Sequence, residues 1–131
     1  MPKFGLENGM QQWRFEYDFA KDGGAVSAIN LRGAPIPVGA VIVGGYVDVE
    51  TAVTSDGSAE VALHVTGAGD ILAATGKASF SLAALLITVP DFATVADAVR
   101  VATAAKPVVA TITVAALTAG KFHVVLLGWV R

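Results

Sequence analysis

The sequence contains no cysteine in its 131 residues and only two histidines, His64 and His123. The lack of thiols excludes a disulfide framework, a thiolate zinc site and a cysteine nucleophile. A cupin-type metal centre requires several histidines with a carboxylate, and two separate histidines do not supply one. We therefore expect no bound metal. Both histidines are interpreted as ordinary surface or interface residues, which would make assembly sensitive to pH if they lie at a subunit boundary.

Charged residues are also scarce, at 15% of the chain, against about 25% in an ordinary soluble domain. The nine basic residues stand singly along the sequence and the net charge is -2, so no basic patch can neutralise a run of phosphates and nucleic-acid binding is not expected. Hydrophobic residues make up 54% of the chain. Because a monomer of this composition has few solvating side chains, we expect copies of itself or a larger partner to cover part of its surface.

Long uncharged segments are absent as well. Uncharged stretches span residues 33–47, 78–90 and 107–120, and each is shorter than the roughly 20 residues that a membrane-spanning helix needs. The initial segment Met1–Asn8 has neither an apolar signal core nor a small-residue cleavage site. We expect a protein that is not membrane-bound and is synthesised and folded in a cytoplasm.

The sequence does contain apolar residues at every second position between turn signals. The first such segment, WRFEYDF at residues 13–19, has the period of a half-buried strand. Similar segments recur at roughly ten-residue intervals, the spacing of a sandwich or barrel. We predict an all-β jelly-roll sandwich of about eight antiparallel strands over residues 13–131, preceded by an extended N-terminal arm at residues 1–12. The predicted strands are 13–19, 26–31, 41–53, 58–66, 71–75, 98–103, 108–114 and 121–130.

Glycine and proline mark the predicted connections. Lys21–Gly24 predicts a turn, and Gly44–Gly45 interrupts the longest strand, where a bulge or bend would let one strand serve two sheets. Asp56–Gly57 predicts a hairpin between the third and fourth strands, and residues 104–107 predict another. Residues 76–97 follow no clear period and are interpreted as a long connection between sheets.

Several large apolar side chains are candidates for contacts with a neighbouring molecule. In the arm they either belong to a frayed terminus or form a strap that fills pockets on a neighbour. Near the other end, Val125, Leu127 and Trp129 point away from the core set of the last strand, so this strand is either central or lies against another subunit. The candidate interface residues are Phe4, Leu6, Met10, Trp13, Val125, Leu127 and Trp129.

The aromatic side chains of the first strand are open to two interpretations. Strict alternation with charged residues favours core packing. The alternative is an exposed row that stacks against sugar rings, as in β-sandwich lectins. The residues concerned are Trp13, Phe15, Tyr17 and Phe19.

No group of residues forms a convincing catalytic centre. Asp48 and Glu50 share a strand face, and Glu60 joins them if the predicted hairpin forms, but a solvated strand face explains these carboxylates equally well. The segment Gly67–Asp70 lacks the lysine and the helix of a phosphate-binding loop. Its aspartate is instead expected to bond to its own turn. We predict that the protein is not an enzyme and has no cofactor.

The order of these turn and strand motifs resembles small jelly-roll proteins of tailed bacteriophages, namely capsid decoration or cement proteins and the related head-fibre bases. The resemblance covers residues 13–131. The motifs that carry it are Tyr17–Phe19, Asp22–Gly24, Pro37–Ala40, Asp56–Ala59, Val65–Ile71 and Leu117–Phe122.

This resemblance implies a virion protein that is synthesised in the host cytoplasm, lies on the capsid surface and binds the major capsid protein, commonly as a trimer. It offers no catalytic residues. Similar motifs in tail or fibre components leave the position on the particle open. Two other functions are compatible with the sequence. One is a carbohydrate-binding module on a tail or head fibre that touches the host surface. The other is a cupin-type enzyme, which elemental analysis without metal would exclude.

Overall fold

The computed structural model describes residues 10–131. In this part of the chain nearly all regular structure is β, as the alternating pattern predicts. One helical turn, α1, spans Phe19–Asp22, and short 3₁₀ turns span Lys77–Ser79 and Val95–Asp97. No helix of the described residues is long and apolar enough to cross a membrane. The strands are β1 Gln11–Asp18, β2 Ala28–Asn30, β3 Ala40–Ser55, β4 Glu60–His64, β5 Leu72–Gly76, β6 Leu85–Ile87, β7 Val99–Arg100, β8 Val109–Thr113 and β9 Leu117–Val130.

The strands form two antiparallel sheets that enclose one core. Sheet A has the order β1-β9-β3-β6, with β7 also paired to β3, and sheet B has the order β2-β8-β4-β5. The two longest strands, β3 and β9, pair along most of their length. This confirms the predicted all-β sandwich, with one more short strand than expected.

The core consists of the inward-facing side chains of both sheets. Tyr17 and Phe122 stack with ring centroids 5.1 Å apart, and Phe80 packs against Phe122 at 5.4 Å. All three are buried, as are Val61 and Ile112 of sheet B. Complete burial of such side chains stabilises the fold by about 1.5–3 kcal/mol each. The aromatic face of β1 is therefore mainly core, as the favoured interpretation states, and Phe19 is partly buried at the start of α1.

The predicted hairpins are wrong, because the strands on either side of each turn lie in different sheets. β3 belongs to sheet A and β4 to sheet B, so Asp56–Gly57 is a corner between the sheets. Likewise β7 pairs with β3, whereas β8 pairs with β2 and β4. Alternation along a strand identifies its buried face and leaves its partner open, which is why a local turn signal misassigned both connections.

The predicted irregularity at Gly44–Gly45 is confirmed. The pairing of β3 with β9 shifts register between Ile42 and Gly44, the signature of a β-bulge. Residues 76–97 cross from sheet B to the edge of sheet A and contain the short strand β6. The prediction of a long connection between sheets holds, although it did not include this strand.

Candidate assembly surface

The outer face of sheet A carries the most distinctive surface of the described chain. Alternation along β9 produces it: Phe122, Val124 and Leu126 are buried in the core, so Val125 and Leu127 project to the opposite side. Trp129 lies on the same outer side, as predicted, and is 40% exposed. Val125 is almost fully buried although it is outside the core cluster, because its cross-strand neighbours on this face, Arg14 and Tyr46, flank it.

One part of this face is apolar, and we call it the apolar half. It lies where β9, β3 and β6 meet the segment that follows β6. Ile87 is 71% exposed and Val95 is 90% exposed, which is unusual for large aliphatic side chains in a folded protein. The apolar half consists of Tyr46, Leu85, Ile87, Phe92, Val95 and Trp129.

Phe92 shapes a shallow groove in the apolar half. The groove has a volume of about 260 Å³ and is lined by Val43, Phe92, Ala93, Thr94, Val95 and Trp129. The Phe92 amide donates a hydrogen bond of 2.7 Å to the carbonyl of Val43, which ties this loop to β3. The backbone of Phe92 has a φ of 68°, a left-handed conformation that is costly for a bulky residue and typical of functional positions.

The remainder of the face is charged. His123 lies between two carboxylates, with Nε2 3.0 Å from Glu50 Oε2 and Nδ1 4.0 Å from Glu16 Oε2. Lys121 Nζ is 3.5 Å from the same Glu50 oxygen. At the edge of the sheet, Arg32 donates to Glu16 Oε1 at 2.8 Å and also pairs with Asp22. We call Glu16, Glu50, Lys121 and His123 the charged half.

These contacts lower the pKa of two carboxyl groups. The hydrogen bond from Arg32 holds the pKa of Glu16 below its ordinary value, with help from Lys121. The pKa of Glu50 is lowered by its hydrogen bond with His123 and by the nearby Lys121 ammonium. A hydrogen bond or a positive charge favours the ionised carboxylate, which is the cause in both cases.

The three-carboxylate site considered from the sequence does not form. Asp48 and Glu50 share the outer face of sheet A, but Glu60 lies in sheet B, opposite Thr113 and Gly76. Among residues 10–131, no group of three His, Asp or Glu side chains is placed to hold a metal ion. The predicted three-carboxylate site required a hairpin between β3 and β4. Because these strands do not pair, Glu60 lies away from Asp48 and Glu50.

The glycine-rich turn before β5 satisfies its own hydrogen bonds. The carboxylate of Asp70 accepts from the amides of Val65, Thr66 and Gly67 at 2.8–3.0 Å, and from the Thr66 hydroxyl at 2.8 Å. The predicted local role of Asp70 is confirmed. These amides are therefore engaged by the protein itself.

The other candidate interface residues lie in different places. Phe4 and Leu6 fall outside the described residues. Met10 is 38% exposed immediately before β1, which begins at Gln11, two residues earlier than predicted. Trp13 belongs to the core cluster, so it is not part of the outer face.

Sequence reasoning missed the strand β6 and the loop that carries Phe92 and Val95. The one available signal was the uncharged stretch at residues 78–90, which includes Leu82, Leu85 and Ile87. An uncharged stretch predicts burial, whereas Leu85 and Ile87 are mostly exposed at the edge of the sheet.

No protein-family model matches the sequence, and no curated protein matches it. The fold has a counterpart among solved structures. A chain of the cyanophage Pam1 capsid asymmetric unit matches with a TM-score of 0.68 and 15% sequence identity, covering 100% of this chain and 91% of that chain. At this level of identity the likeness shows a shared fold.

Proposed function

We propose that this chain is a virion structural protein that binds and stabilises the outer surface of a bacteriophage capsid as a decoration or cement protein. It acts as a trimer, its partners are the major capsid protein and its own copies, and it works without catalysis. The observation that carries the proposal is the likeness of the whole chain to a chain of a phage capsid asymmetric unit. The order of turn and strand motifs supports the same class.

The strand order supports a jelly-roll form of the sandwich. With the two-residue strand β7 set aside, each sheet contains strands from both ends of the chain. In sheet A, β1 pairs with β9, and in sheet B, β2 pairs with β8. This interleaving of eight strands in two sheets supports the jelly roll, an eight-stranded double-sheet fold built from two Greek keys.

The exposed apolar surface supports an assembly role. Burial of apolar area contributes about 25 cal/mol per Å², so a large contact is strong without many ion pairs. A protein that binds the assembled shell and not its separate subunits stabilises the shell by mass action. The low charge content of the chain fits a molecule that functions in contact with other protein.

Co-sedimentation with empty capsids of the encoding phage tests this proposal. Purified protein should pellet with capsids in a saturable manner, and capsids carrying it should withstand a higher temperature than bare capsids. A separate glycan array measures the alternative function. Binding to glycans without binding to capsids would reject the capsid proposal in favour of a fibre module.

The N-terminal arm provides a second test. We propose that Phe4, Leu6 and Met10 act as a strap on a neighbouring molecule. Because β1 begins at Gln11, removal of residues 1–9 eliminates two of these three side chains, Phe4 and Leu6, and leaves every pair of β1 with β9 in place. The truncated protein should keep its circular dichroism spectrum and lose capsid occupancy. Unchanged occupancy at equal protein concentration would contradict the strap.

A further inference from the structure

The edge of sheet A at β6 is guarded by the shortness of this strand, three residues, and by no charged residue or proline within it. Natural edges are guarded by short strands, charged residues, proline or a covering segment. Here residues 78–89 contain neither charge nor proline, and Leu82 and Leu85 are 71% and 66% exposed. An apolar edge of this kind is a template for contact with another chain.

The backbone of β6 is oriented for such a contact. Val49 donates to the carbonyl of Ala84, and Thr88 donates to the carbonyl of Gly45. Since hydrogen-bonding direction alternates along an antiparallel strand, the amides and carbonyls of Leu85 and Ile87 point away from β3. Within residues 10–131, β6 and the two-residue strand β7 are the outermost strands on this side of the sheet.

The area of the apolar half approaches what a stable protein contact needs. Its six residues are 37–90% exposed, and at about 150–250 Å² for a large side chain they together expose roughly 600 Å². A patch of this size is at the upper end for a monomer, about 300–600 Å². It also approaches the roughly 800 Å² that each partner buries in a standard interface, and the partly exposed Val43 and Leu127 extend it.

The charges around the apolar half favour a second copy of this chain as the occupant. Its rim has both signs, with Arg14 and Arg100 against Asp48 and Asp91. A rim of mixed sign can be complementary to itself, whereas a rim of one sign would repel an identical surface. Around a three-fold axis, one side of the patch meets the other side of the same patch on the next copy, so a rim that carries both signs can form opposite-charge pairs there as well as in a two-fold dimer.

We infer that the apolar half of sheet A, with the β6 edge, is the contact between copies of this chain. The charged half is then left free for another partner. The inference takes the number of copies, three, from the proposed function. The position of the contact does not depend on that function.

Two single substitutions test the inference, Ile87→Asp and Val95→Asp. Both side chains are mostly exposed, so the fold tolerates the change, while an unpaired carboxylate in an apolar contact must be desolvated. Val26→Asp is the matched control, since Val26 is 55% exposed and lies outside the apolar half. The readouts are mass by analytical ultracentrifugation, circular dichroism and co-sedimentation with capsids.

The wild-type protein and the control should sediment as an oligomer of the 13.3 kDa chain. Each apolar-half variant should sediment as a folded monomer, with association weakened roughly a hundredfold or more. A monomeric wild type, or variants that keep the oligomer mass, would overturn the inference. Variants that stay oligomeric and lose capsid binding would assign this face to the capsid protein, leaving the proposed function intact. An oligomeric wild type that ignores capsids, with monomeric variants, would reject the proposed function and support the contact between copies.

Discussion

The ring of Phe92 occupies the space where a β-carbon of residue 44 would stand, so Phe92 packs directly against Gly44. This contact lies at the register shift of β3. The glycine therefore does more than permit a bulge: it admits an aromatic ring from the loop after β6 onto the outer face of sheet A, and the ring in turn forms a wall of the groove beside Trp129.

Gly44→Ala should displace Phe92 and destabilise the protein. A methyl group at residue 44 overlaps the ring, and overpacking of this kind costs about 1–3 kcal/mol. Urea denaturation measures the cost. Gly67→Ala and Gly76→Ala are matched controls, because nothing lies within 4 Å of either position, and both should stay within about 0.5 kcal/mol of wild type or gain slightly. Equal stability of Gly44→Ala and its controls would contradict the packing.

Tyr17→Phe should lower stability at neutral pH. The Tyr17 hydroxyl donates a 2.6 Å hydrogen bond to the carbonyl of Gly23, just after α1, and its removal leaves that carbonyl without this donor. The expected loss is about 1–2 kcal/mol in urea denaturation. Tyr46→Phe is the matched control, since Tyr46 lies on the outer face, and it should change stability by less than about 0.5 kcal/mol.

Tyr17→Phe should also make the stability of the protein less sensitive to alkaline pH. Burial, together with the carboxylates of Asp22 and Asp18, raises the pKa of Tyr17 to about 12. The unfolded chain releases this proton near pH 10. The contribution of the protonated Tyr17 hydroxyl to the stability of the wild-type protein is therefore present in full below that pH and is lost as the pH rises towards 12. Denaturation series at high pH should show a shallower decline for Tyr17→Phe. Parallel declines in both proteins would show that another group is responsible.

Low pH should reduce the stability that the charged half contributes to the fold. The pKa values of Glu16 and Glu50 are lowered in the folded protein, so their contribution to stability is present above the ordinary value of 4.5 and is lost as the pH falls below it. The double variant Glu16→Gln/Glu50→Gln should therefore lose less stability than wild type between about pH 5 and pH 3. Urea midpoints at several pH values measure this difference. In 1 M NaCl the difference should shrink, because these exposed pairs are screened over about 3 Å.

Val114→Asn should stabilise the protein. Val114 is a β-branched residue with a φ of 73° and a side chain that is 69% exposed. A left-handed conformation costs such a residue about 1–3 kcal/mol, and asparagine adopts it more readily. We expect a gain of about 1 kcal/mol in thermal or urea denaturation. Val38→Asn is the control, since Val38 is similarly exposed and has a negative φ, and it should show no gain.

Much of the fold and part of the candidate surface follow from local pattern. The alternation in β1 and β9 predicts which side chains are core, and it places Val125, Leu127 and Trp129 on the opposite face. The pair Gly44–Gly45 predicts the bulge. Trp13 fits the same rule, because it alternates in phase with Phe15 and Tyr17; the pattern therefore favours its place in the core over its role in an interface.

The pairing between strands could not be predicted from local patterns. Asp56–Gly57 has the local form of a hairpin turn, yet β4 joins the other sheet, because the core is filled by placing Val61 opposite Ile112 and not beside β3. The carboxylate of Glu60 moves with its strand, and the predicted three-carboxylate group disappears. Such choices depend on contacts between residues far apart in the chain, which no short segment contains.

By itself the sequence determined the composition, the period of two and the turns, and hence an all-β body with more apolar surface than one small domain usually hides. Only the tertiary structure decided where that surplus lies. It brings Trp129 from the last strand, Tyr46 from β3 and Ile87, Phe92 and Val95 from an aperiodic connection onto one face. The physical reason is that burial of a side chain depends on which strands become neighbours, and that pairing is a property of the whole chain.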